Sequence, residues 1–234
     1  EILSGLVGSE MCIRDRDRAK QLYSSFCNGE MLLTNATTAE MAKLTENSFR
    51  DVNIAFANEL SIISDKLGID VWELIELANH HPRVNILNPG PGVGGHCIAV
   101  DPWFIVSSAQ EEAKLIRTAR EVNDGKPAYV IAKITEAVEA EGADSIAALG
   151  IAFKPDIDDL RESPALSIVQ QMAEKWPEKN ILVAEPNVNE LPERLTAYQN
   201  VQLVDASHAI SSSPVVAVLV DHTPFKSLEK SVLE

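Results

Sequence analysis

The sequence predicts an α + α/β architecture: an all-helical module followed by a parallel, Rossmann-like α/β module that stops short of a complete sheet. Three observations point there. Up to about residue 140 the chain reads as long helical stretches, each opened by a capping residue and closed by Gly or Pro. Beyond it, short apolar runs (DSIAALGIAF, NILVAEP, PVVAVLVD) alternate with helical ones such as SPALSIVQQMAEKW. Strands separated by helices imply a parallel sheet covered on both faces. Between the first two helical stretches and the third lies a cluster of glycine and proline, NPGPGVGG, that leads to one cysteine.

The elements follow in order. Residues 1–16, EILSGLVGSEMCIRDR, have no clear period and resemble translated adapter or vector sequence, so they are set aside as a non-native tail, Cys12 with them. The helical module takes residues 17–140 and the α/β module 141–234. Residues 37–67 read as one helix, with Thr37-Thr38-Ala39-Glu40 as a capping box and Gly68 as the stop. A second helix starts near Asp70 and ends by Pro82. No regular structure is expected in the glycine-rich loop before Ile98. A third helix is expected to begin at Ser108, where Ser108-Ala109-Gln110-Glu111 offers another capping box, and to reach Glu141 with a kink or break at Gly125 and Pro127. Strands are then expected in 144–153, NILVAEP, more weakly in VQLVD, and in PVVAVLVD, with a short helix at SHAISSS.

Composition narrows the function. Among 234 residues 45% are hydrophobic and 24% charged, ordinary for a globular protein. A formal net charge of -15 argues against nucleic acid and against an anionic membrane surface. It leaves room for a small anionic ligand, which local cations and helix N-termini bind within an acidic chain. Cys12, Cys27 and Cys97 make no disulfide framework and suit a reducing, cytoplasmic setting. No Cys/His spacing forms a metal site.

Four constellations carry possible chemistry. In the cysteine loop, Gly90, Gly92, Gly94 and Gly95 permit close backbone approach while Pro89 and Pro91 stiffen the path. Gly92-Val93-Gly94-Gly95 lacks the strand before and helix after that a dinucleotide fingerprint requires. Either the loop delivers Cys97 to a ligand, or it is a tight turn holding an inert cysteine. On the first helix, Lys43, Asn47, Arg50 and Ile54 fall on one stripe with Asn58 at its edge. That stripe reads as an oxyanion clamp or as a solvated face. His80, His81, Arg83 and Asn85 precede the loop, where the histidines suit a helix end and Arg83 an anion. Finally, GIAFKPDIDDLRESPA follows a strand and precedes a helix, placing Phe153, Lys154 and Arg161 where open α/β sheets bind ligands.

Together, AEMAKLTENSFRDVNIAFANEL, NPGPGVGGHCIAVDPWF and GIAFKPDIDDLRESPA resemble, in order and separation, the signatures of the nucleotide-sugar 6-dehydrogenases, the UDP-glucose/GDP-mannose dehydrogenase family. The resemblance covers about residues 18–226. HPRVNI and GPGVGGHCIAVDPWFIV are most similar to the branch that oxidises UDP-N-acetyl-D-mannosamine. UDP-glucose enzymes carry a lysine where Val100 stands and KDT in place of Val100-Asp101-Pro102. UDP-glucose or UDP-N-acetylgalactosamine as substrate, and a purely dimerising module, are the alternatives.

The resemblance implies that Cys97 is the nucleophile, and that Lys43 and Asn47 steady an oxyanion or the attacking water, Lys43 also moving a proton. It gives Asp101 a part in activating water, and sugar-nucleotide contacts to Arg50, His81, Arg83, Gly94, Phe153 and Lys154. Arg161 would reach the phosphates of NAD, the implied cofactor. Oxidising a C6 alcohol to an acid needs a group that holds the aldehyde between two hydride losses, and a thiolate does so as thiohemiacetal, then thioester. The ammonium of Lys43 and the thiol of Cys97 are thus expected to converge on one carbon. The family's NAD fingerprint is expected upstream, so the chain is read as a fragment that cannot turn over alone. Its central helices are expected to pair in a homodimer.

Overall fold

The computed structural model describes residues 5–8 and 13–227. It opens with strand β1 (Gly5–Gly8), helix α1 (Ile13–Ser24) and strand β2 (Met31–Thr34). The two strands pair in parallel, Gly5 opposite Met31 and Gly8 opposite Thr34. A parallel pair needs a crossover, and α1 supplies it. Residues 5–8 and 13–16 of the stretch set aside as a tail thus lie in β1 and the first turn of α1. Cys12 lies outside the described residues.

Helix α2 (Ala36–Leu67) is the axis of the helical module. Its cap is Asn35, whose Oδ1 accepts from Thr38 N at 2.8 Å, so Thr37 lies inside the helix rather than capping it. Asparagine is among the best N-cap residues, because its short carbonyl reaches an orphan N–H of the first turn. Gly68, at φ 67°, ends α2 as expected. Helix α3 (Val71–Asn79) starts where Asp70 accepts from the amides of Trp72 and Glu73.

The cysteine loop was expected to lead, through irregular chain, to a helix at Ser108. Instead helix α4 (Asp101–Ser108) follows the cysteine directly, with Pro102 in its first turn. Ser108 ends that helix, its Oγ donating back to Phe104 O at 2.8 Å. The following helix, α5 (Lys114–Glu141), runs through Gly125 and Pro127 without a break. Its N-terminal half packs in the helical module, while Ile134 and Val138 join the core of the second module. The helix ends at Glu141, beside the boundary placed at residue 140, and its last turns already pack with the second module.

The second module contains β3 (Ser145–Leu149), α6 (Pro164–Lys175), β4 (Asn180–Ala184), α7 (Glu193–Thr196), β5 (Val201–Leu203), α8 (Ala206–Ser211), β6 (Val215–Val218) and α9 (Thr223–Lys226). The strands form one parallel sheet in the order β5-β4-β3-β6. Ile146 of β3 lies opposite Ile181 of β4 and Val215 of β6. Successive residues of a strand face opposite sides. Ile146 and Ala148 therefore join Ile168 and Met172 of α6, while Ala147 and Leu149 meet Ala209 and Ile210 of α8. Chain order reverses between β3 and β6, so the crevice at their carboxyl ends is the place such a sheet offers a ligand.

Candidate active site

Cys97 sits on the last turn before α4, and its thiol is exposed. Its carbonyl accepts from Val100 N at 3.1 Å and Asp101 N at 2.8 Å, which fixes the cysteine against the helix start. Asp101, the first residue of α4, accepts through Oδ2 from Asn47 Nδ2 at 2.5 Å. Asn47 and Asp101 are 54 positions apart, so this bond joins α2 to the cysteine turn. An amide nitrogen carries two hydrogens, and Asp101 takes one of them.

Lys43 lies one turn before Asn47, but its Nζ turns to Glu46 Oε2 at 3.1 Å, with both side chains about 60% exposed. Such exposed pairs are weak. Arg50, His81 and Arg83 are exposed. His81 Nδ1 accepts from Arg83 N at 3.3 Å, which orders the turn after α3. Asn58, expected at the edge of the Lys–Asn–Arg stripe, is instead fully buried and faces the module's interior.

There Asn58 belongs to a polar network that sequence reasoning missed. Its Oδ1 accepts from Gly90 N at 2.8 Å, and its Nδ2 donates to Asn123 Oδ1 at 2.8 Å. Asn123 donates in turn to Asp51 Oδ1 at 2.8 Å, and Arg120 Nη1 does so at 2.7 Å. Burial pushes the Asp51 carboxyl upward, opposed by the Arg120 charge. The network ties α2 and α5 to the first glycine of the cysteine loop. Its signal in the sequence was only that α2 and α5 carry polar residues on otherwise buried faces.

No strand precedes Gly92-Val93-Gly94-Gly95 and no helix starts within it, as expected for a loop that is not a dinucleotide fingerprint. The glycines serve contact between the modules. A Cβ on Gly94 would lie 2.5 Å from Glu162 O, 2.8 Å from Pro164 Cδ and 3.0 Å from Phe153 Cβ. Only glycine lets the backbone approach the second module so closely. The Phe153 ring also lies against Gly95, two residues before the cysteine. Lys154 Nζ stands 5.6 Å from the centre of that ring. The structure thus brings Cys97, Asp101 and Asn47 together, and sets Gly94 against Phe153.

Arg161 is committed differently. It donates through Nε and Nη2 to the two oxygens of Asp159, at 2.9 and 2.6 Å, while remaining 69% exposed. These bonds hold the Asp159 carboxyl well below the usual carboxylate range, with a smaller contribution from His96.

Comparison with known proteins identifies the family. The UDP-glucose/GDP-mannose dehydrogenase family matches twice, its central domain over residues 37–125 and its UDP binding domain over residues 147–234. A UDP-N-acetyl-D-mannosamine dehydrogenase of Campylobacter jejuni is 57% identical, aligned over 96% of this chain and 57% of its own length. An NDP-N-acetyl-D-galactosaminuronic acid dehydrogenase of Ralstonia nicotianae is 52% identical, over 100% of this chain and 56% of that one. Among solved structures, the UDP-D-ManNAc dehydrogenase of Pyrococcus horikoshii superposes with a TM-score of 0.83 at 38% identity, covering 98% of this chain and 53% of that one. The chain spans about half the length of the relatives it matches. It belongs to the UDP-glucose/GDP-mannose dehydrogenase family.

Proposed function

We propose that the chain is the catalytic and sugar-nucleotide-binding part of an NAD-dependent dehydrogenase. In this reading the enzyme oxidises C6 of UDP-N-acetyl-D-mannosamine to the uronate, for bacterial surface polysaccharide. The observation that carries the reading is the Asn47–Asp101 bond beside an exposed Cys97. An amide from α2 bonded to a carboxylate on the cysteine's own turn suits alcohol-to-acid oxidation through a thioester.

C6 gives up four electrons as two hydrides, each of which a separate NAD would accept when bound, and the first oxidation also releases the hydroxyl proton to solvent. Arg161, an exposed cation on the loop after β3, suits a phosphate of that cofactor once it exchanges Asp159 for it. After the first oxidation, Cys97 Sγ bonds to the aldehyde carbon, and the carbonyl oxygen takes the proton. Loss of the second hydride from that carbon, with the hydroxyl proton passing to solvent, leaves a thioester. Water then adds, the C–S bond breaks, and the acid leaves as the thiol is restored. The second amide hydrogen of Asn47 and the ammonium of Lys43 stabilise the oxyanions, each worth about 3 kcal/mol. Asp101 takes the proton of the attacking water. Arg50, His81, Arg83, Gly94, Phe153 and Lys154 contact the sugar nucleotide.

On α2, Phe49, Phe56 and Ile63 recur every seven residues and are 71%, 53% and 44% exposed. This apolar stripe suits pairing with a second copy, hence a homodimer through the central helices. Among the described residues no helix is long and apolar enough to cross a membrane. With the sugar nucleotide as substrate and free thiols at Cys27 and Cys97, a cytoplasmic setting fits.

The Ralstonia relative favours one second reading, a galactosamine-configured sugar. The test uses the full-length enzyme with NAD and a panel of UDP-N-acetylmannosamine, UDP-N-acetylgalactosamine and UDP-glucose. The expected result is two NADH per UDP-N-acetylmannosamine, with kcat/KM at least about tenfold above the others, a discrimination of roughly 1.4 kcal/mol. A preference for either other sugar overturns the mannosamine assignment.

A further inference from the structure

At the carboxyl ends of β3, β4 and β6 lies a buried ionisable pair to which neither the motifs nor the family resemblance assigns a role. Glu185 directly follows β4, and His222 comes four residues after β6. Both side chains are 0% exposed, and His222 Nε2 meets Glu185 Oε2 at 3.0 Å. Glu185 Oε2 also accepts from the amides of Ile151 at 2.8 Å and Ala152 at 3.1 Å. Its Oε1 accepts from Asn187 N and Asn187 Nδ2, each at 3.2 Å. A carboxylate removed from water persists only when its lone pairs are filled in this way.

The histidine is fixed just as fully. Asp156 N donates to His222 Nδ1 at 2.9 Å. A peptide N–H can only donate, so Nδ1 carries the lone pair, and Nε2 carries the hydrogen given to Glu185. Asn187 Nδ2 lies 3.1 Å from the same Nδ1, and Phe225 meets the ring edge-on at 5.5 Å. Asp156 itself sits at φ 59°, a left-handed conformation that non-glycine residues seldom adopt. Its carboxylate accepts from Thr223 N at 2.8 Å and Thr223 Oγ1 at 2.7 Å.

The consequence is geometric. The chain is gripped at residues 151–152 by Glu185 and at residue 156 by His222 and Thr223, and Phe153 and Lys154 lie between the two grips. We propose that Glu185 and His222 are positioning residues that hold Phe153 and Lys154 in the conformation that receives the sugar nucleotide. The inference rests on the functional reading above and deepens it: part of the affinity for the nucleotide is set by a pair the nucleotide does not touch. Three strand ends converge on that pair, so it also holds together the floor of the crevice.

The experiment uses the full-length enzyme with His222→Ala, His222→Gln and Thr223→Val. It reads UDP-sugar binding by calorimetry, kcat and KM separately, and amide hydrogen exchange at Ile151, Ala152 and Asp156. His222→Ala is expected to raise KM and Kd for the UDP-sugar about tenfold while kcat changes less than about threefold, the signature of lost binding rather than lost chemistry. The Asp156 amide should exchange faster. Glutamine offers both a donor and an acceptor, so His222→Gln should recover most of the affinity. Thr223→Val leaves the buried pair intact and should raise KM a few-fold, which keeps the test decisive if His222→Ala fails to fold. Faster exchange at Asp156 with unchanged UDP-sugar affinity in the variants would overturn the positioning role alone. An unaltered enzyme that binds no UDP-sugar would overturn the functional reading, and the positioning role with it.

Discussion

The two modules support the cysteine loop by opposite means. The α/β module encloses an apolar core of Ile146, Ile168, Met172, Ile181 and Val183, and keeps its buried ionisable pair, Glu185 and His222, at the strand ends. The helical module runs its polar chain, Asp51, Arg120, Asn123 and Asn58, through its own interior. It also leaves Phe49 and Phe56 largely uncovered. A closed apolar core makes a module self-sufficient. A buried polar chain beside an exposed apolar stripe makes one whose stability depends on partners and on every bond of the chain being kept. The difference teaches that the cysteine loop is attached to the less independent half, and is steadied by leaning on the other through Gly94.

The comparison can be broken most forcefully at Arg120. Arg120→Met leaves the Asp51 carboxylate buried without its cation, which should cost about 3–5 kcal/mol. Denaturant unfolding, followed by tryptophan fluorescence and by far-UV signal, should then resolve an early transition of the helical module, with the α/β transition near its original midpoint. One shared, equally shifted transition would show that α5 couples the modules into a single cooperative unit.

A smaller effect is expected at the junction. Gly94→Ala forces a Cβ toward the Glu162 carbonyl, and overpacking of this kind costs about 1–3 kcal/mol. Because the contact joins the modules, the variant should alkylate more rapidly at Cys97, as the loop is pushed from Phe153. Unchanged alkylation would place the glycine's role in folding alone.

The smallest effect sharpens the contrast between the two kinds of buried charge. Lys126 of α5 is buried, donates to Ser61 Oγ and stands 4.7 Å from the Tyr129 ring centre. Burial lowers its pKa from the ordinary 10.5 to about 8. Between those two values the unfolded chain binds more protons than the folded one, so stability rises with pH across about 8 to 10.5. Lys126→Met should abolish that rise and raise stability at neutral pH. A variant with the same alkaline slope would refute the assignment.

Much of this was legible in the chain. The start of α3 at Asp70 and the stop of α2 at Gly68 are local signals, set by one side chain or one φ angle, and both hold. The apolar runs that became β3, β4 and β6 needed only short-range pattern. What was not legible depended on distant partners. Val100 offers no capping side chain, so α4 lacked a cap signal despite Asp101 and Pro102, and Ser108 mimicked a cap while bonding backward. Asn47 reads alike as solvated or functional until Asp101, 54 positions on, is brought to it. His222 and Glu185 are separated by 37 positions, and neither belongs to a recognisable motif, so only folding makes them a pair.

The central claim is that Cys97 carries the sugar through the second oxidation. It is tested most directly by acid-quenching the full-length enzyme during turnover of UDP-N-acetyl-D-mannosamine and measuring the mass of the peptide that contains Cys97. The account predicts an acyl adduct on that cysteine, which accumulates when Asn47→Ala or Asp101→Asn slows its hydrolysis. Normal product formation with an unmodified Cys97 peptide in every variant would contradict it.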